Sequence, residues 1–179
     1  MNTLTNSELE NNVIPKWSAI QCNRLKRWFE IAKARKKAHN CAASWNNIWN
    51  RLLTYSSFLI SAILSTMSLN ITYAPAWLLP ALSITITIII VINGFFNFAK
   101  QSESHSKTAT GFANIIRKIE IAFLQKDNPK SKFSDFIDET GESFNHLLKD
   151  VSSLPLYAKN LLSDINLEAP DPFDDFEEN

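Results

Sequence analysis

Five hydroxyl residues, Thr54, Ser57, Ser61, Ser65 and Ser68, advance by 3, 4, 4 and 3 positions through an otherwise apolar stretch. At 100° per residue they share about 80° of arc on one side of a helix. Ser83, Thr87 and Asn97, with Gly94 among them, give a second apolar stretch a sparser stripe. Hydroxyls on helices in lipid can serve packing, by close approach and by bonds across the contact or to their own i−4 carbonyls. Alternatively, several copies together can use them as a polar, uncharged pore lining. Both readings stay open on the sequence. The absence of any carboxylate or His among these residues argues against a proton-coupled transporter.

Other reactive side chains are sparse. Cys22 and Cys41 are 19 residues apart, about 28 Å on one straight helix, too far for a disulfide. No Cys-x-x-Cys or His-x-x-x-His spacing accompanies His39, His105 and His146, so no metal or other cofactor is expected. His39 and His105 both lie beyond the apolar region, one on each adjoining helix, which predicts a polar contact between them. Asp135, Asp138, Glu139 and Glu142 fall opposite Phe133, Phe136 and Phe144 and read as a solvated helix face. Three scattered glycines make no phosphate loop, and no nucleophile stands beside a base. The chain is expected not to be an enzyme.

Lys33, Arg35, Lys36 and Lys37, with Arg51 further on, form a basic set suited to anionic lipid and to fixing topology. An acidic partner, or the chain's own acidic C-terminus, is the next reading. Nucleic acid is not expected, because no binding motif or stacking platform accompanies these charges.

The elements that must position these residues follow from the charge distribution. The 179 residues hold 18 basic and 18 acidic side chains, and the mean hydropathy is −0.11. Yet the 48 residues from Leu52 to Ala99 contain none of those charges. A hydrocarbon core of about 30 Å takes about 20 helical residues, so this block suffices for two spans and a short loop. Asn70, Pro75 and Pro80 divide it into spans of about Leu52 to Leu69 and Ala76 to Phe98, with a proline in the first turn of the second. Trp45, Trp49 and Tyr55 mark one interface, and Tyr73 and Trp77 the other. Residues 16–51 carry nine basic side chains against one acid, and the loop carries no charge. The positive-inside rule then predicts both termini on the cytoplasmic or topologically equivalent side. Asn70-Ile71-Thr72 matches a glycosylation sequon, but so close to a bilayer it is a poor acceptor.

Outside the block, apolar residues recur at helical spacing from Trp17 to Asn50, at Phe112, Ile115, Ile116, Ile119, Ala122 and Phe123, and again from Phe133 to Leu148. The first helix is predicted to continue into the first span. A third helix is expected to start after a Ser131 cap, and a short fourth to run from Ser153 and Pro155 to about Ile165. Such faces cover one another as a bundle. The fold class is therefore all-α: a two-span transmembrane helical hairpin whose long helices extend into a cytoplasmic-side bundle. Its segments are a flexible 1–16, a basic amphipathic helix 17–51, the hairpin 52–99, a bundle segment 100–163 and a disordered acidic tail 164–179. That tail has seven acids and no base, and Asp171, Phe173 and Phe176 in it suit a basic protein partner.

A resemblance joins these features. A Trp-containing helix reaching His39 runs through NRLLTYSSFLISAILSTMS; after the hairpin, IIIVINGFFNFAKQSESHSKTATGFANIIRKIEIAF leads to FSDFIDETGESFNHLLKDVSSLP. Over about residues 28–160 this resembles the SLATT domains, two-span membrane proteins associated with nucleotide-second-messenger and nucleotide-sensor genes of bacteria, with related domains in large DNA viruses. The resemblance implies a membrane effector that oligomerises and permeabilises or perturbs a bilayer. The alternative expectation is a structural membrane anchor, such as a viral membrane- or capsid-associated protein, holding a partner through its bundle and acidic tail.

Overall fold

The computed structural model describes residues 16–68, 75–125, 132–149, 154–160 and 162. Every regular element among them is an α-helix: α1 (Ala19–Ser68), α2 (Leu78–Phe96), α3 (Phe98–Leu124), α4 (Phe133–Lys149) and α5 (Leu156–Lys159). The N-terminal segment 1–15, residues 69–74 with the Asn70 sequon and Tyr73, the Ser131 cap and the acidic tail with Asp171, Phe173 and Phe176 lie outside the described residues.

The 50 residues of α1 contain neither Gly nor Pro, so nothing breaks the hydrogen-bond ladder between the basic and apolar segments. A reciprocal cap starts it. Ser18 N–H donates to Gln21 Oε1 at 2.8 Å, and Gln21 N–H donates to Ser18 Oγ at 3.3 Å. This Ser-x-x-Gln pairing satisfies two amide donors that a helix start would otherwise leave open. α2 holds Pro80 in its first turn, where no intrahelical donor is lost, as the sequence predicts.

One break has no counterpart in the sequence expectation. Asn97 adopts φ 47° and ψ 49°, ending α2 before α3 begins at Phe98. Asn tolerates this left-handed geometry better than other residues with a Cβ. Hydrogen bonding resumes at once, with Asn97 N–H donating to Asn93 O and Gln101 N–H to Asn97 O. The Gln101 side chain donates to the Phe96 carbonyl at 2.8 Å, covering an acceptor that the break leaves open.

The chain divides into two compact units, residues 1–38 with 108–179, and residues 39–107. The first has a core of Leu25, Trp28, Ile31 and Ala32 from α1, Phe112, Ile115 and Ile119 from α3, and Ile137 and Phe144 from α4. Phe144 is central, with ring centroids 5.5 Å from Phe112 and 6.0 Å from Trp28. Trp17 closes one end edge-on to Phe133. Gly111 admits α4: a Cβ there would lie 2.5 Å from Leu147 Cδ2. Asp135 in the first turn of α4 and His146 and Lys149 in the last complement its dipole. α5 is a single turn, shorter than expected, after Pro155 in extended geometry, and Ala158 and Leu162 are buried there.

Among the described residues, one helical stretch is long and apolar enough to cross a membrane. It lies within Leu78–Leu124, has a mean hydropathy of 2.2, and none of it is buried. The other apolar segment, Leu52–Ser68, contributes 17 residues to α1, seven of them Ser or Thr, which lowers its hydropathy.

Candidate functional site

The unit His39–Lys107 holds the apolar helices. In α1, Leu53, Ser56, Ser57, Ile60, Ser61, Leu64 and Met67 are half-buried. In α2 the half-buried set is Leu78, Leu79, Leu82, Ile86 and Ile89, all aliphatic, and then Asn93 one turn before the break. The 3-and-4 spacing of both sets is that of helices packed side by side.

Against that contact the hydroxyls sort into two groups. Ser57 and Ser61 sit at its margin, half-buried; Thr54, Ser65, Ser68, Ser83, Thr87 and Asn97 are exposed. Hydroxyls of both helices bond backward along their own helix: Ser57 to Leu53 O, Ser65 to Ser61 O, Ser68 to Ser65 O, and Thr87 to Ser83 O, at 2.8–3.0 Å. These four polar hydrogens are thus satisfied without a partner helix. Asn97 acts first on the backbone, as the αL residue between α2 and α3.

The two stripes share a side. On α1 the hydroxyls lie about 80° from the centre of the packed face, and on α2 about 100° from theirs, both in the direction of rising residue number. The helices run antiparallel and face each other, so the same sense of rotation carries both stripes to one flank of the pair. The opposite flank exposes Leu52, Leu59 and Ile63 of α1 with Ile88, Ile92 and Phe95 of α2. The first flank is the richer in hydroxyls, although exposed Thr66 and Thr85 stand on the second.

Two contacts fix the register of α1 and α3. Ser102 Oγ donates to Ala43 O at 2.9 Å, and His39 Nδ1 lies 3.1 Å from His105 Nδ1. The expected meeting of these imidazoles is therefore present, and both are buried, at 0% and 2% exposure. Burial holds His105 below its ordinary pKa. The same register sets Trp49 level with Phe95 and Phe96. With Trp45, which packs edge-on to Trp49, these exposed rings make a collar around one end of the apolar pair.

The basic set does not act as one surface. Lys33 and Lys37 are exposed, with Lys33 Nζ 5.9 Å from the Phe29 ring centroid. Lys36 and Arg35 are half-buried, Arg35 Nε is buried, and desolvation lowers the guanidinium pKa. Along α1, Lys37 precedes Leu52 by 15 residues, about 22 Å of helix, well beyond a Debye length of about 8 Å at physiological salt. Exposed Arg51 alone of the five adjoins the apolar segment.

The carboxylates of α4 are exposed, and Glu139 accepts from Lys118 Nζ at 2.9 Å. Cys22 and Cys41 are free thiols. Among the described residues, no group of three His, Cys, Asp or Glu side chains is arranged to hold a metal. An open groove of about 510 Å³ runs along α3 and α4 beside Gly111, Asn114, Ser143 and His146. Comparison with protein-family models, with curated proteins and with solved structures finds no match.

Proposed function

We propose that this chain is a non-enzymatic integral membrane protein with two antiparallel spans, about Leu52–Leu69 and Ala76–Phe98. Both termini then lie on the cytoplasmic or equivalent side, and copies assemble through the hydroxyl-rich flank to permeabilise or perturb the bilayer, as the likeness to SLATT effectors implies. The observation that carries the membrane reading is α2. It has no buried residue, and Ile84, Ile88, Ile90, Val91 and Phe95 are each more than half exposed. A surface of that extent in water would be an aggregation site, whereas in lipid it is solvated. The aromatic collar, with Arg51 and Lys100 nearby, suits a bilayer boundary. The 19 residues of α2 span about 28 Å, close to the hydrocarbon thickness.

Self-assembly is supported by the sidedness of the pair, because a flank of hydroxyls gains from facing its own kind rather than acyl chains. The test is ion flux in liposomes. Replacing exposed Thr54, Ser65, Ser83 and Thr87 by Leu abolishes flux if that flank lines the path. Unchanged flux rejects the lining, and no flux from the wild type rejects permeabilisation.

The internal hydrogen bonds of the hydroxyls favour a second reading. The hydroxyl hydrogens of Ser57, Ser65, Ser68 and Thr87 are bonded without water or a partner helix, which suits an inert anchor whose tail, residues 164–179, holds a basic protein. In that case deleting the tail releases the partner and the spans alone do not conduct.

A further inference from the structure

We propose that Asn46, Asn50 and Asn93 form an internal water site, a small hydrated pocket in the seam where α1 meets the end of α2. All three face that seam. Asn46 is buried, at 5% exposure, and Asn50 and Asn93 are half-buried. Asn46, Asn50 and Leu53 advance by four and three along α1, so the amides hold the inward positions just before the aliphatic contact begins. On α2, Asn93 follows Ile89 by four and is the last inward residue before Asn97. The contacts of His39 with His105 and of Ser102 with Ala43 fix which residues of α1 and α3 stand level. Counting back from them through Asn97 puts Asn93 level with residues 51 and 52, within about 3 Å of rise from Asn50. Asn46 is one turn, about 6 Å, from Asn50 on the other side.

None of the three side-chain amides has a hydrogen-bond partner among the described residues. An amide taken out of bulk water without a partner is costly, and native proteins supply either a protein group or an ordered water. Asn46 differs from Trp17 and Thr140, whose Nε1 and Oγ1 are closed off: its amide still touches space that a water molecule can enter. The neighbouring side chains offer no substitute. Level with Asn46 on α3 is half-buried Phe98, and beyond Asn50 come Leu53 and Ile89. The Ser102 bond to Ala43 O bounds the layer at its other end, about 15 Å along α1 from Leu53.

The amides also select the occupant. Each carries two N–H donors and one carbonyl acceptor, so whatever fills the pocket must both accept and donate. A cation would use the oxygens alone, on a stretch that already carries exposed Arg51 and Lys100. The sole carboxylate of residues 39–107, Glu103, is exposed and paired with Lys107. An anion would use the N–H groups alone. Water serves both, and a bridging molecule with about three bonds is the ordinary form of a buried one.

The test uses the full ¹⁵N-labelled chain in lipid nanodiscs and reads side-chain amide resonances. Asn46→Leu, Asn50→Leu and Asn93→Leu assign them by loss of signal. In the wild type we expect cross-relaxation with water at all three amides, of the sign that marks bound rather than passing molecules. Exposed Asn40 and Asn47 should show passing water only. Each single variant should shift the two remaining signals and weaken their water cross-peaks, because the water is shared. Missing water contact overturns the site, as does a direct amide contact of Asn50 with Asn93 in its place, or variants that leave one another's signals unchanged. Exchanging sodium and potassium for a bulky organic cation should move none of the three signals; a shift makes the occupant a metal cation and rejects water. If the variants do not fold, the wild type assigned through its backbone decides by the water contact and the cation exchange. The site forms within one chain, so no outcome depends on whether copies assemble or permeabilise a bilayer.

Discussion

Gly111 on α3 and Leu147 on α4 occupy one another's space: the position a Gly111 Cβ would take is 2.5 Å from Leu147 Cδ2 and 3.2 Å from Cγ. Adding a methyl therefore pushes the branch point of Leu147 as well as its tips. Gly111→Ala gains about 1 kcal/mol of helix propensity and loses about 1–3 kcal/mol to overpacking. The expected net effect is destabilisation by about 1 kcal/mol. Leu147→Ala in the same chain should remove the clash, so a double-mutant cycle in denaturant should show coupling between the two sites.

At Asn97 the backbone is left-handed. Asn97→Val should cost about 1–2 kcal/mol, the penalty for a Cβ in that region, while Asn97→Gly should be tolerated. Thermal unfolding of the three chains in the same detergent checks the order. Equal midpoints for Val and Asn would mean that the junction relaxes into a continuous helix.

The Ser18–Gln21 cap stands at the start of a helix with no break for 50 residues. Ser18→Ala should cost about 1 kcal/mol. Hydrogen exchange should show faster amides over the first turn and unchanged protection beyond residue 30, because fraying stays near the end that loses its cap.

Acid should weaken the fold through His105. Its folded pKa is lowered by burial from the ordinary 6.5, so below that value the unfolded chain binds more protons than the folded one. The stability this residue contributes is full above about pH 6.5 and is lost as the pH falls through the folded pKa. Denaturation midpoints taken through that range should fall toward acid in the wild type and fall less in His105→Leu. A midpoint rising toward acid would contradict the direction.

Much of this was legible because charge and periodicity are strong signals. The unbroken α1, the aliphatic stripe of α3 and the amphipathic α4 follow from residue types at 3-and-4 spacing, and the meeting of His39 with His105 from one imidazole on each helix that flanks the apolar block. Other features turn on which way an element faces, which spacing alone does not specify. The stripe of Ser83 and Thr87 is visible in the sequence, but that it stands beside the packed face rather than in it depends on Leu82, Ile86 and Ile89 filling the contact. Arg35 looks like its neighbours in a basic run, yet the rotation of α1 half-buries it. Asn97 was hidden because apolar and helical patterns continue on both sides of it. Of the fourth helix, the described residues hold one turn, Leu156–Lys159.

The break at Asn97 also alters the arithmetic of the seam. Along α2 the inward positions step by four, three and four, through Leu82, Ile86, Ile89 and Asn93; on α3 they resume at Phe98, Ser102 and His105. The step from Asn93 to Phe98 is five. Asn97 is therefore a skip residue, one position inserted into a 3-and-4 count, and its left-handed backbone takes up the extra residue. Deleting it would make that step four and leave an unbroken 3-and-4 count, so that a single continuous helix would still turn Ser102 and His105 toward α1. In this segment a single asparagine absorbs the one residue by which the reading frame of the fold would otherwise slip.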